Sequence, residues 1–231
     1  MSNKYVDFVS DEHFKKCVKH VVDAYNEEHI LEDSELQRNG IDTIKMTFDM
    51  MCEGNNFKKW KIKESYRQKD KTVNNALGYF HQMLLGGVKG WTDLGVGDST
   101  KLDLKKNDNS IFMELKNKYN TVNSDSLSAV RQKLERITNN FPNSTAYWAY
   151  VIEKNGTSGE SEWNYLGDNN LKLRKIWGSK LYELITGKSD ALEKTWIALP
   201  IAIKDVLNGE NDISSTDMNE LQQWFRDAFE K

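Results

Sequence analysis

"TKLDLKKNDNSIFMELKNKYNT", residues 100–121, sets a lone acid between two leucines, then a polar turn, then an acid and a lysine two apart in an apolar run. Lys101–Lys105 and Ile111–Lys118 read as short strands, and the "KNDNS" between them carries the Asn and Asp residues that suit a hairpin turn. Side chains alternate along a strand, so Glu114 and Lys116 share one face while Met113 and Leu115 share the other. If the two strands pair, Asp103 comes near Glu114. Alternation alone leaves two readings open. In one, the polar face is solvated and Lys116 merely pairs with Glu114 or a neighbour. In the other, two carboxylates converge on a divalent cation, and oxygen-only ligation favours Mg²⁺, with Mn²⁺ as a substitute, over zinc.

The pattern acid, any residue, lysine occurs at two places. The second, Asp103-Leu104-Lys105, runs straight into the turn and lacks apolar neighbours on its C-terminal side, so Glu114 and Lys116 are the stronger pair. A cation held by Asp103 and Glu114 can bind a phosphodiester oxygen and lower the pKa of a bound water, with Lys116 positioning that water or stabilising developing charge. Such an arrangement suits phosphodiester hydrolysis.

Outward from this hairpin the chain is mostly helical. After Ser10, a candidate N-cap, Phe14, Cys17, Val18, Val21, Val22 and Tyr25 recur at three- and four-residue spacing. A second apolar-periodic run covers Ile41 to Met51, and a third includes Val73, Leu77, Phe80, Met83, Leu84 and Leu85 before the helix-stopping Gly86-Gly87. Five glycines between residues 86 and 97 mark a loop whose backbone can approach a neighbour closely. "SDSLSAVRQKLERIT" carries Leu127, Val130, Leu134 and Ile137 at helical spacing, with Ser124 or Ser126 as its cap. "STAYWAYVIEK", 144–154, reads as a central strand, and further helices are expected over 171–186, 190–207 and 216–229. This order predicts an α/β fold: a small mixed central β-sheet flanked by helices, with helical N-terminal and C-terminal regions. A single domain over 1–231 is expected, helical over 1–86, with the sheet core over 87–154 and a mainly helical 155–231.

Composition narrows the partners. Net charge is −3 and the pI is near 5.9, which argues against indiscriminate coating of nucleic acid but leaves room for a local basic cleft. Two cysteines are too few for a disulfide framework, no apolar run approaches a membrane span, and the N-terminus lacks an apolar signal core. A reducing, cytoplasmic setting is expected, with no membrane association. Three other signals carry little: Cys17 and His20 have no second metal-binding pair, "TGKSD" at 186–190 has Tyr182 where a phosphate loop needs its first glycine, and His81 fits a structural role better than a catalytic one.

At Asp103, ten intervening residues and Glu114-Leu115-Lys116, the sequence resembles the PD-(D/E)xK nuclease superfamily, although Leu102 replaces the usual proline before the first acid. "LDLKKNDNSIFMELKNKYNTVNSDS" further resembles type II restriction endonucleases of the SinI kind, which cut GGNCC or GGWCC sites. The resemblance is strongest over about 95 to 135. It implies a restriction-endonuclease-like domain in which Asp103, Glu114 and the Leu115 carbonyl hold Mg²⁺ and Lys116 is the catalytic lysine, with Asp98 and Asp93 as fallback first acids. It also implies a homodimer acting on twofold-symmetric double-stranded DNA, and a cognate DNA methyltransferase that protects the host genome. Asn117, Lys118, Asn120, Thr121, Asn123, Ser124 and Ser126 lie at and just past the end of the strand as candidate DNA contacts, with Lys118 and Arg131 assigned to phosphates. Two rivals stand beside this reading: an inert DNA-binding module with a nuclease-like hairpin, and a repair or recombination nuclease that reads DNA structure and not sequence.

Overall fold

The computed structural model describes residues 3–26, 31–38, 40–95, 97–121, 123–164, 170–209 and 212–230. In chain order its elements are α1 (Asp11–Asn26), α2 (Asp33–Arg38), α3 (Thr43–Glu53), α4 (Phe57–Gly86), β1 (Trp91–Asp93), β2 (Leu104–Lys106), β3 (Ile111–Lys118), α5 (Ser124–Asn140), β4 (Thr145–Ile152), β5 (Gly159–Glu162), β6 (Leu173–Trp177), α6 (Ser179–Thr186), α7 (Ala191–Leu207) and α8 (Ser215–Phe229). Two compact units emerge: residues 20–77, and residues 1–19 together with 78–231. The first is helical, with a small apolar cluster of Ala24, Val73 and Ala76 backed by Val21 and Leu77. Asp42 caps its α3 by accepting from the backbone N–H groups of Ile44 and Lys45.

The second unit holds a six-stranded sheet in the order β1-β2-β3-β4-β6-β5. β1, β2 and β3 are antiparallel neighbours; β3, β4 and β6 run parallel; β5 returns antiparallel along β6. This is the mixed α/β architecture expected from the sequence. The β2–β3 turn forms as its residues dictate: the Asp108 carboxylate accepts from the Ser110 N–H, and Asn109 takes the left-handed backbone that Asn tolerates. A parallel pair needs a crossover, and α5 supplies the one between β3 and β4. Its apolar stripe packs on Phe112 of β3, on Ala146, Trp148 and Tyr150 of β4, and on Leu173 and Trp163, forming a core with Val130, Leu134 and Ile137.

The structure differs from the sequence reading in the C-terminal half of the sheet. Residues 171–186 were expected to form one helix; they form β6, a positive-φ Gly178, and then α6. Leu173 and Ile176 have the spacing of a helix face, but tertiary pairing wins, because they lie beside Ala146 and Ala149 at full burial. The sheet therefore runs on through β5 and β6, past residue 154. At the other edge the glycine-rich loop contributes β1. Gly86 and Gly87 are required by close packing: a Cβ on Gly86 would overlap Asp93, and one on Gly87 would overlap the His13 ring. No helix among the described residues is long and apolar enough to cross a membrane.

Candidate active site

Register places the chemistry. Phe112, Glu114 and Lys116 lie opposite Ala146, Trp148 and Tyr150 of β4, on the sheet face that α5 covers. The polar face of the hairpin is not solvated at Glu114, whose side chain is only 7% exposed, so its charge needs partners; the pairing of Lys116 with Glu114 is present. Asp103 stands immediately before β2, its N–H donating to the Met113 carbonyl and its carbonyl accepting from Leu94 of the chain leaving β1. That anchoring aims its carboxylate at β3, where Oδ2 accepts the Leu115 N–H at 2.7 Å.

Lys116 Nζ closes the group. It donates to Glu114 Oε1 at 2.8 Å, to the Leu115 carbonyl at 3.1 Å and to Asp103 Oδ2 at 3.3 Å. One ammonium thus sits where three oxygens converge, and these are the three oxygens the sequence singled out. Burial raises the Asp103 pKa, and the neighbouring Glu114 charge pushes in the same direction; Lys116 and the Leu115 N–H only partly offset them. Burial alone would depress Lys116, but the two carboxylates and their hydrogen bonds more than compensate, so its pKa is raised. Lys116 is a firmly charged cation in this setting, holding together two acids that would otherwise repel.

Among the described residues no three His, Cys, Asp or Glu side chains converge as a metal site. The donor set here is two carboxylates and a backbone carbonyl, all hard oxygen, and already converging on a positive charge. It fits Mg²⁺ or Mn²⁺ in donor chemistry.

The fallback acids are otherwise engaged. Asp93 lies beside the group on β1, but its oxygens accept from Tyr79 Oη, Gln82 Nε2 and the Gly95 N–H. Gln82 also reaches the Asp103 carbonyl at 3.3 Å, so Asp93 braces the segment entering β2 that carries Asp103. Asp98 accepts from the backbone and hydroxyl of Thr100, and these hydrogen bonds hold its carboxyl below the usual range. A cleft of about 430 Å³ opens beside Asp103, lined also by Tyr79, Gln82, Asp98 and Lys101.

Of the expected DNA contacts, Lys118, Asn120, Thr121, Asn123 and Ser126 are exposed and Asn117 is half-buried; the side chain of Ser124 lies outside the described residues. Asn123, and not Ser124 or Ser126, caps α5, its carboxamide oxygen accepting the Ser126 N–H at 2.8 Å. Thr121 Oγ1 donates to the Lys118 carbonyl. Arg131 requires correction as a phosphate contact. Its side chain is 5% exposed, pairs with Glu135, lies over the Trp163 ring and donates to the Trp163 carbonyl, so it staples α5 to the core and is not offered to a ligand.

Sequence reading missed Lys133, which donates to Glu114 Oε2 at 2.7 Å and to the Lys101 carbonyl at 2.7 Å. The available signal was its place at the border of the α5 apolar stripe, one residue before the fully buried Leu134. His81 is structural: its Nδ1 lies 2.6 Å from the Tyr182 hydroxyl, with its ring edge-on to Phe80 and Tyr182.

Comparison with known proteins identifies the family. A family model described as Eco47II restriction endonuclease matches residues 6–208, a span that includes every group of the site. The type II restriction enzyme Sau96I of Staphylococcus aureus is 31% identical over 218 residues, covering 89% of this chain and 82% of the relative. The type II restriction enzyme Eco47II of Escherichia coli is 29% identical over 238 residues, covering 97% of this chain and 98% of the relative. The chain belongs to the Eco47II restriction endonuclease family, whose named members are type II restriction enzymes and therefore site-specific deoxyribonucleases.

Proposed function

We propose that this protein hydrolyses both strands of double-stranded DNA at a short GC-rich palindrome of the GGNCC or GGWCC type, with Mg²⁺ as cofactor. The observation that carries the reading is the convergence of Asp103 Oδ2, Glu114 Oε1 and the Leu115 carbonyl on one point, occupied by Lys116 Nζ. Those three oxygens would hold the cation. When bound, it supplies Lewis acidity toward the phosphodiester and a more acidic water. Asp103 and Glu114 bring the negative charge that attracts the cation, and the tie between Asp103 and the Leu115 N–H fixes the spacing of the two strands that carry them. Lys116, kept protonated by its neighbours, orients the attacking water through its N–H groups and stabilises charge that builds on the phosphoryl oxygens. Exposed Lys118 at the end of β3 is suited to a backbone phosphate, and Asn117, Asn120 and Thr121 are within the segment that would meet bases.

A palindromic site calls for two copies of the centre, so the working form is a homodimer. The protein acts in the cytoplasm beside a cognate DNA methyltransferase that protects the same sites. Replacing Glu114 or Lys116 by Ala tests the reading. Wild type should cut plasmid DNA into discrete, reproducible fragments in Mg²⁺ and none in EDTA, while each variant should lose cutting and retain specific binding in a gel-shift assay. Cutting that survives both substitutions would refute the assignment. Fragment smears from the wild type would favour a nuclease that ignores sequence.

A further inference from the structure

Glu114 is gripped from two sides. Lys116 occupies Oε1, and Oε2 accepts from Lys133 at 2.7 Å, a residue of α5 nineteen positions further along the chain. Lys133 has a second anchor, the Lys101 carbonyl, also at 2.7 Å. That carbonyl is itself held, because Lys101 takes a left-handed backbone with φ 57° and its N–H donates to the Asp98 carbonyl. Lys133 therefore keeps a partner even when a Glu114 oxygen turns toward something else, and its charge stays beside the site. With Asp103, Glu114, Lys116 and Lys133 gathered together, two negative charges face two positive ones and the cluster is electrically neutral.

A neutral cluster is a weak host for a divalent cation. We propose that Lys133 is a positioning residue that balances the charge of the free site, so that the site fills well with a divalent cation only when the anionic DNA backbone lies against it. The proposal rests on the reading of Asp103 and Glu114 as the cation-holding acids. Its functional sense is restraint: a nuclease whose cation arrives with the substrate does not carry a loaded centre between encounters. A unit charge and a divalent ion a few ångströms apart repel by enough, even with water-like screening, to alter affinity about tenfold or more.

The test is a titration of MnCl₂ into the DNA-free protein, with unbound Mn²⁺ read by its electron paramagnetic resonance signal. Lys133→Met should bind Mn²⁺ at least tenfold more tightly than wild type, and Lys133→Arg, which keeps the charge, should stay within about threefold of wild type. Equal or weaker binding by Lys133→Met would overturn the proposal, since a residue that only ties α5 to β3 would leave affinity unchanged or lower it. Should Lys133→Met fail to fold, Lys133→Gln, which retains a donor for the Lys101 carbonyl, makes the same comparison. Adding Asp103→Asn to the Lys133 variant separates the two claims. If it abolishes Mn²⁺ binding, the cation site stands and only the role of Lys133 is at stake; if binding persists unchanged, the site reading itself falls.

Discussion

Replacing Glu114 with Gln perturbs the centre at its most buried point while preserving shape. In the native protein each Glu114 oxygen accepts from one ammonium, Lys116 at 2.8 Å and Lys133 at 2.7 Å. A carboxamide offers one acceptor and turns an N–H₂ donor toward the other ammonium, so one charge-assisted hydrogen bond is lost and a donor opposes a donor. Asp103, beside Lys116, is then the one carboxylate left among the four groups, and Lys133 keeps the Lys101 carbonyl without an ion-pair partner among them. Breaking a fully buried ion pair costs roughly 3–5 kcal/mol. Here the lysine side chains are 29% and 23% exposed, and partial hydration softens the loss. The expected destabilisation is about 2 kcal/mol, or roughly 4–8 °C in Tm for a chain of this size. Urea denaturation at pH 7 reads it through the midpoint at unchanged slope. Cutting of plasmid DNA should fall at least a hundredfold, in line with loss of a principal electrostatic group. A variant within 0.5 kcal/mol of wild type would show that the two ammonium groups do not depend on Glu114, and near-native cutting would remove Glu114 from the centre altogether.

Two further outcomes follow from groups outside it. Asn123→Ala should cost about 1 kcal/mol through loss of the α5 cap, and Asn123→Ser should recover most of it without changing which sites are cut; an altered site preference with unchanged stability would make Asn123 a base-reading residue instead. Burial drives the His81 pKa from 6.5 down to about 4. Because the folded-state value is depressed, the stability it confers is full above pH 6.5 and drains away as pH falls toward about 4. The loss should approach roughly 3 kcal/mol. Urea midpoints for wild type and His81→Gln at pH 7 and pH 4.5 check this, and a wild-type pH dependence no steeper than that of the variant would refute it.

The centre was legible in the sequence because strand alternation and a turn-forming "KNDNS" act over about fifteen residues. Asp103, Glu114 and Lys116 needed only the hairpin register to meet. Lys133 was not legible, since its contact depends on how α5 docks after the crossover, a distance in space that helical periodicity does not encode. The same holds for Arg131: as an arginine beyond β3 it suggests a phosphate contact, and only the tertiary packing of Trp163 shows it buried. The β6 segment shows a different limit, where Leu173 and Ile176 satisfy a helix face by spacing but are claimed by the edge of β4. Asp93 and Asp98 were indistinguishable as spare acids until Gln82, Tyr79 and Thr100 were seen to occupy them.

Mapping the DNA ends by sequencing, after digestion of a plasmid with the wild-type protein and with Asp103→Asn in Mg²⁺, tests the central claim most directly. Ends from the wild type should all fall at one short GC-rich palindrome on both strands, and the variant should produce none. Ends scattered over unrelated sequences, or the same ends produced by Asp103→Asn, would contradict the account.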